Sequence, residues 1–508
     1  MPTRRSILKS AGGLALATTA TALGTGAFAA GAPATDKWER LRGSLTGELI
    51  RPGETAYDYA KTVYLGEYSA VNPQAVAYCK TVKDVQTCLR FAQTYRVDLR
   101  TRSGGHNLAG WSTGEGLVID LSNFKQALVT GNTVHVGPAA MSIEALAALA
   151  PAGRQIVTGT CPTVCPGGFI SGGGVGFQTR KFGTASDRLV SANVVLADGR
   201  VVQASETSEP DLFWALRGGG GGNFGVVLDF EIVPVDQPRG VYFDTVWGWD
   251  KAAEVIEAWQ QWSVSSSYDL GSSLLLALPD AAPGATPTIM LTGAYWGSQQ
   301  ELEAGLDALA AEAGTQPTIR EVRELAYEDV MRQVYGCGLI TTRECHLIGQ
   351  NPDAKLPRNG LLRERTRIFD RPVVGPVLSD ALAAFDADRR AGETRFLSFT
   401  ATGGRANETS RTATAYWHRN AQFMTGFAAL TSRPSVAADE EAAMTAWVDR
   451  GYNVLEPVSA HESYVNFPDT RLTDWQQAYY GGNYPRLLRV KRQYDAGNLF
   501  RHGQSVGS

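Results

Sequence analysis

Hydrophobic positions recur in two rhythms along the chain, and the rhythm changes near residue 240. From about Val71 to Pro238, short apolar runs alternate with helical spacing. Ala75–Cys79 reads as a strand. Thr81-Val-Lys-Asp84 then opens a helix, because a Thr and an acid three residues on satisfy two free backbone N–H groups, and Val85, Leu89 and Ala92 fall on one face. Asp98–Arg102 reads as a strand running into glycines, and Gly116–Leu121 and Asn132–Val136 as further strands. Val190–Val202 holds an Asp-Gly pair between two alternating runs, which predicts a hairpin.

From about Gly240 to Asp439 the apolar runs lengthen and turn aromatic. Val241–Trp247 and Thr288–Trp296 read as strands, Ala252–Trp262 and Glu301–Ala313 as amphipathic helices, and Arg395–Thr400 and Thr412–Trp417 as added strands. Strands interleaved with helices, without a dinucleotide-binding fingerprint, predict an antiparallel sheet backed by helices. From about Tyr464 the elements become short and polar-aromatic and are expected to fold back onto the first lobe. The fold class is α+β, in two lobes: residues 37–239, then 240–440, with 441–508 returning to the first.

Composition narrows the class. With 508 residues, 44% hydrophobic and 19% charged, the chain is a folded protein too long for one ordinary core. A net charge of −4 without a long basic run speaks against nucleic acid as a partner. The first 36 residues hold Arg4-Arg5, a mildly apolar stretch and Ala27-Phe28-Ala29, which reads as a twin-arginine signal for export of a folded protein, with an ordinary secretory signal as the alternative. No later run is apolar for the roughly 18 residues a membrane span needs. Of the cysteines, Cys79/Cys88 and Cys337/Cys345 are near enough in sequence to be bridged; Cys161 and Cys165 complete the set. No Cys/His spacing reads as a metal site.

Three glycine loops carry the candidate chemistry. Arg102-Ser-Gly-Gly-His-Asn107 follows a strand, and successive N–H groups in such a turn form a concavity suited to a pyrophosphate. Gly159–Gly176 has seven glycines in eighteen residues, too many for a packing element and suited to close approach of backbone to a flat ligand. Arg217–Val226 is a third such loop.

Together these loops, with Ala478–Leu487 and the residues that follow, resemble the berberine-bridge-enzyme-like branch of the FAD-linked oxidases, which has a PCMH-type FAD-binding domain and the vanillyl-alcohol-oxidase fold. The resemblance implies FAD bonded twice, to His106 through the flavin 8α-carbon and to Cys161 through C6, an arrangement that raises its reduction potential. It implies cofactor contacts from Arg102, Ser103, Gly104, Gly105, Asn107, Gly168, Gly172, Gly173, Gly176, Gly225, Val226, Asn483 and Tyr484, with Val164 as the small residue that admits oxygen. Cys165 stands where the family has glycine, and Phe169 where it commonly has histidine. The family's Tyr-x-Asn-Tyr-x-Asp segment is here Tyr464-Val-Asn-Phe-Pro-Asp469, so Phe467 replaces the usual proton acceptor. Tyr464, Tyr416 and Tyr480 are the replacement candidates. The implied activity is an oxidase of an alcohol or related C–H on a secondary metabolite or glycoside, taking hydride to the flavin and releasing peroxide from oxygen, like bacterial tailoring oxidases of the aclacinomycin oxidoreductase type. The alternatives are an oligosaccharide oxidase acting at the anomeric carbon and a flavin-binding protein with little turnover.

Overall fold

The structure is a computed structural model that describes residues 36–508; the twin-arginine segment lies outside the described residues. Three sheets follow one another along the chain. The first contains β1 (Glu48–Ile50), β2 (Ala75–Tyr78), β3 (Leu99–Arg102) and β4 (Leu117–Asp120), in the order β1-β2-β4-β3. β2 and β3 both run parallel to β4, so a crossover must join them, and helix Val82–Tyr95 supplies it. Thr81 and Asp84 cap that helix reciprocally, and Val85, Leu89 and Ala92 are buried.

The second sheet is antiparallel: β5 (Ala127–Thr130), β6 (Thr133–Val136), β7 (Leu189–Val195), β8 (Val201–Ser205) and β9 (Val226–Ile232), in the order β5-β6-β9-β7-β8. β7 and β8 form the expected hairpin, with Gly199 at φ +85° in its turn. Helices Ser142–Leu149 and Pro210–Leu216 share its core with Val134, Val194, Phe230 and Ile232.

The third sheet has seven antiparallel strands: β10 (Arg239–Trp247), β11 (Leu270–Leu278), β12 (Thr288–Tyr295), β13 (Ile319–Ala326), β14 (Leu361–Phe369), β15 (Thr394–Ala401) and β16 (Phe423–Thr431), in the order β13-β10-β12-β11-β15-β16-β14. One face packs Trp247, Phe399 and Phe427 against helices that carry Trp259, Leu306, Phe385 and Trp447. The other face, by strand alternation, presents Ser273, Glu364, Thr366, Ser398 and Thr400. This is the antiparallel sheet backed by helices that the apolar pattern predicts.

Two expectations need correction. Thr412–Trp417 is no strand. Its backbone is satisfied from elsewhere: Asn483 Nδ2 donates to the carbonyls of Arg411 (2.7 Å) and Thr414 (3.1 Å), Trp214 Nε1 donates to that of Thr412 (2.9 Å), and Tyr416 N–H donates to that of Arg217 (2.9 Å). Alternating Thr and Ala therefore mark a loop pinned by side chains. The glycine-rich 159–176 stretch is also partly a packing element, because Pro166–Ser171 forms a short helix with Ile170 in the core. Cys337 and Cys345 are disulfide-bonded, whereas Cys79 and Cys88 are buried free thiols with sulfurs 4.0 Å apart. Among the described residues no helix is long and apolar enough to cross a membrane, and no cluster of three His, Cys, Asp or Glu could hold a metal.

Candidate active site

The loop after β3, the 159–169 segment, the loop before β9 and the chain's last elements converge on a cavity of about 360 Å³. Arg102 ends β3 with its guanidinium buried, donating to Asp120 Oδ2 (2.6 Å) and the Ala60 carbonyl (2.7 Å). Its Nη1 has no partner. The next turn needs its glycines. A Cβ on Gly104 would lie 2.7 Å from Cys165 Sγ, and Gly105 sits at φ +72°. Among the described residues the backbone N–H groups of Gly104, Gly105 and His106 find no acceptor in the protein.

His106 stacks on Tyr64 at 4.2 Å between centroids, and its Nε2 lies 2.8 Å from Thr163 Oγ1. Burial, helped by the Arg358 charge, holds its imidazole far below the usual range, at about 3. Cys161 faces the same cavity with Sγ 3.8 Å from Thr163 Oγ1. Burial pushes its thiol up, opposed by the N–H groups of Thr163 and Val164 and the Thr163 hydroxyl. Cys165 also borders the cavity but is more deeply buried, with its thiol donating to the Ala139 carbonyl at 3.5 Å and its ionisation pushed well above the ordinary thiol value by burial.

FAD is flat at one end, anionic in the middle and long, and the cavity suits it. Unpaired N–H groups on the first glycine loop form an anion concavity. Gly220, Gly221 and Gly222 give a side-chain-free wall, with Gly220 at φ +88°. Trp111 and His502 stack at 4.3 Å within the lining, and the buried His502 Nδ1 lacks a partner. Arg102, Ser103, Gly104, Gly105, His106 and Asn107 would hold the cofactor from one side, and Cys161, Val164, Gly168, Gly225 and Val226 from the other; all line the cavity.

Other residues singled out from the sequence stand behind the walls. A Cβ on Gly172 would meet the Asn466 amide at 2.1 Å, on Gly173 the Tyr416 ring at 2.5 Å, and on Gly176 the Thr158 carbonyl at 1.8 Å. These glycines let protein segments close on one another; they do not line the cavity. Asn483 pins the 411–415 loop, and Tyr484 stacks on Tyr480 at 6.0 Å. Of the three tyrosines, Tyr480 donates to the Gly219 carbonyl at 3.1 Å, and neither it nor Tyr416 reaches the cavity lining. Tyr464 does line it. Its hydroxyl accepts from Gly174 N–H and Asn466 Nδ2, each at 2.8 Å, and burial pushes its ionisation far above the usual tyrosine value. Phe467 lines the cavity beside it, 5.5 Å from ring to ring.

One residue that the sequence did not reveal is Glu364. In β14, Arg363, Arg365 and Arg367 reach Glu441, Asp449 and Glu456 on the helix side. Alternation turns Glu364 the other way, with Thr366 and Ile368, and Ile368 packs with Tyr416 and Tyr464. The strand's start is stitched to the cavity wall through Asn359 Nδ2, which donates to Tyr64 Oη at 2.8 Å. The Glu364 carboxyl makes no hydrogen bond or ion pair among the described residues, and burial together with the Asp469 charge lifts it to about 7. A lone Glu among alternating arginines gives no sequence signal of this.

Comparison with known proteins fits the cavity. Residues 73–205 match the family described as FAD binding domain, and residues 463–507 the family described as berberine and berberine like. The uncharacterized FAD-linked oxidoreductase YvdP of Bacillus subtilis (strain 168) is 30% identical over 476 residues, 91% of this chain and 98% of its own. Glucooligosaccharide oxidase of Sarocladium strictum is 27% identical over 466 residues, 86% of this chain and 87% of its own. Among solved structures, wild-type Physcomitrella patens BBE-like 1 shares the fold with a TM-score of 0.80, at 23% identity over 92% of this chain and 98% of that one. The chain belongs to the berberine-bridge-enzyme-like family of FAD-linked oxidoreductases.

Proposed function

We propose that the chain holds FAD through two bonds, to His106 and Cys161, and oxidises an alcohol or related C–H of a bulky small molecule, a secondary metabolite or glycoside, with oxygen as final acceptor. The observation that carries this reading is that His106 and Cys161 face one cavity and share one buried hydroxyl, Thr163. When bound, the flavin accepts hydride and returns the electrons to dioxygen as peroxide. Val164 lines the cavity close to Cys161 and, by its match to the family's small oxygen-admitting residue, is the proposed point of oxygen entry.

The protein's task is to take the substrate proton as hydride leaves. Phe467 has no group for this, and Tyr464 stays protonated at neutral pH. Glu364 is a carboxyl without a side-chain partner, pushed up to about 7 by burial and Asp469, on the sheet face turned toward Tyr464 and Tyr64; it stands behind the cavity lining, within electrostatic reach of Tyr64, which does line it. Glu364 is the proton acceptor in this reading. A second reading, an oligosaccharide oxidase acting at the anomeric carbon, is favoured by the likeness to glucooligosaccharide oxidase. The Arg4-Arg5 segment supports export through the twin-arginine route, and Arg4→Lys with Arg5→Lys should retain the protein inside the cell.

A peroxide-coupled screen tests the activity. Polyketide or alkaloid glycosides giving peroxide above the sugar panel support the first reading, oligosaccharides above glycosides support the second, and no peroxide from any substrate sinks both. Peptide mapping tests the attachment. Cys161→Ser should lose one link and Cys165→Ser none; flavin found on Cys165 would refute the assignment.

A further inference from the structure

We infer that the Thr163 hydroxyl is a positioning group that readies both attachment atoms at once, holding His106 in the tautomer with its lone pair on Nδ1 and sharing its own proton with the Cys161 sulfur. The inference rests on the two-bond reading above and assigns a residue to making those bonds.

Thr163 is wholly buried, with Oγ1 2.8 Å from His106 Nε2 and 3.8 Å from Cys161 Sγ. A hydroxyl has one proton to give and lone pairs to accept with. If it gave that proton to Nε2, the single proton of a neutral ring would sit on Nδ1, whose lone pair would then be blocked, and the sulfur would receive nothing. If Nε2–H donates to Oγ1 instead, Nδ1 keeps its lone pair and the hydroxyl proton is left for the sulfur. In the first arrangement the thiol can only donate to the hydroxyl; only the second both leaves the Nδ1 lone pair free to bond and gives the sulfur a donor.

Three further observations favour it. Burial and Arg358 keep the ring neutral. The contact with Thr163 is the only hydrogen bond of His106 among the described residues, and the Tyr64 stack fixes the ring plane. Thr163 is itself confined, its carbonyl 3.8 Å from the Cys165 sulfur while Gly104 packs without a side chain against that same Cys165.

The chemistry balances. At His106 an N–C bond forms between Nδ1 and the 8α-carbon, one C–H of that methyl group breaks and loses its proton, and the Nε2 proton departs through Thr163. Two electrons remain and pass to dioxygen, which takes up two protons to become hydrogen peroxide. At Cys161 an S–C bond forms at C6; the thiol proton and the C6 proton are lost, and two electrons again pass to dioxygen.

The test is peptide mapping of wild type, Thr163→Val, Thr163→Ala and Thr163→Ser, each checked for fold by circular dichroism and for bound yellow colour before acid. Val and Ala should lower the flavin-bearing fraction of the His106 peptide at least tenfold and that of the Cys161 peptide measurably, with FAD released on denaturation. Ser, which keeps the hydroxyl, should retain both links. A Thr163→Val or Thr163→Ala protein attached twice to the wild-type extent overturns the inference alone, and so does a Ser variant that loses both links. Wild-type peptides free of flavin at both loops would sink the two-bond reading and the inference with it.

Discussion

At the scale of single residues, the site turns on which groups are left without partners. Glu364 is the sharpest case. A carboxyl raised from 4.5 to about 7 keeps its proton in the folded protein at pH values where the unfolded chain has released it. The folded state therefore binds more protons between those values, and this group's contribution to stability falls as pH rises through that window, then levels off. Glu364→Gln should flatten that slope. In the reductive half-reaction, wild type should gain rate with pH through an apparent value near 7, where the base ionises. The Gln variant should be slower by about 10²-fold or more and lose that limb. Stopped-flow bleaching of the flavin from pH 5 to 9 checks both; a Gln variant with the wild-type profile would return the role of base to a tyrosine. Glu364 could not be read from the sequence, because nothing in Leu-Leu-Arg-Glu-Arg-Thr-Arg separates a paired carboxylate from an orphaned one. His106 and Cys161 are singled out through the resemblance of their loops to the family's, because a glycine turn beside a histidine or cysteine is by itself a weak signal. Thr163 could not be read from the sequence, because its meaning lies in bridging two loops 57 residues apart.

At the scale of elements, apolar rhythm marked β2, β3, β4, β6, the β7–β8 hairpin, β10, β12 and β15, and passed over β1, β5, β9, β11, β13, β14 and β16. It also failed where backbone groups pair with side chains. The Thr412–Trp417 loop alternates like a strand, yet Asn483 satisfies its carbonyls from a different part of the chain. Asn483→Ala should leave those carbonyls unpaired in a buried place, at a cost of about 1–3 kcal/mol. Urea unfolding would read this as a lower midpoint at unchanged slope. The cysteines show a similar limit. Spacing allowed two bridges, and the fold brought only Cys337 and Cys345 to a Cα separation of 5.9 Å with bonded sulfurs, leaving Cys79 and Cys88 as packed thiols. Closing so short a loop removes about 2.5 kcal/mol of unfolded-chain entropy. Cys337→Ser with Cys345→Ser should lower the melting temperature accordingly and leave flavin attachment unchanged, since neither residue lines the cavity.

At the scale of the whole molecule, the last residues of the chain complete a cavity whose first wall forms near residue 100. Phe500, Arg501 and His502 line it. Lys491 holds them there: its buried ammonium donates to Asp495 Oδ2 (2.7 Å), to the carbonyl of Asn223 in the third glycine loop (2.8 Å) and to the Phe500 carbonyl. Val506 N–H donates to Asn223 Oδ1 at 2.9 Å, which makes Asn223 the joint between tail and loop. A cavity lined from both ends of the described chain is completed only when the tail has docked. Lys491→Met removes one partner of a buried ion pair and leaves Asp495 with only the N–H groups of Leu499 and Phe500, a loss of up to about 3–5 kcal/mol. It should also release Asn223 and so reduce the flavin-bearing fraction of purified protein. Arg492→Met, at an exposed position on the same helix, should change neither. Melting temperature and the ratio of flavin to protein absorbance measure the two effects side by side. A Lys491→Met protein as stable and as yellow as the Arg492→Met control would mean that the tail merely decorates a cavity the rest of the chain can build alone.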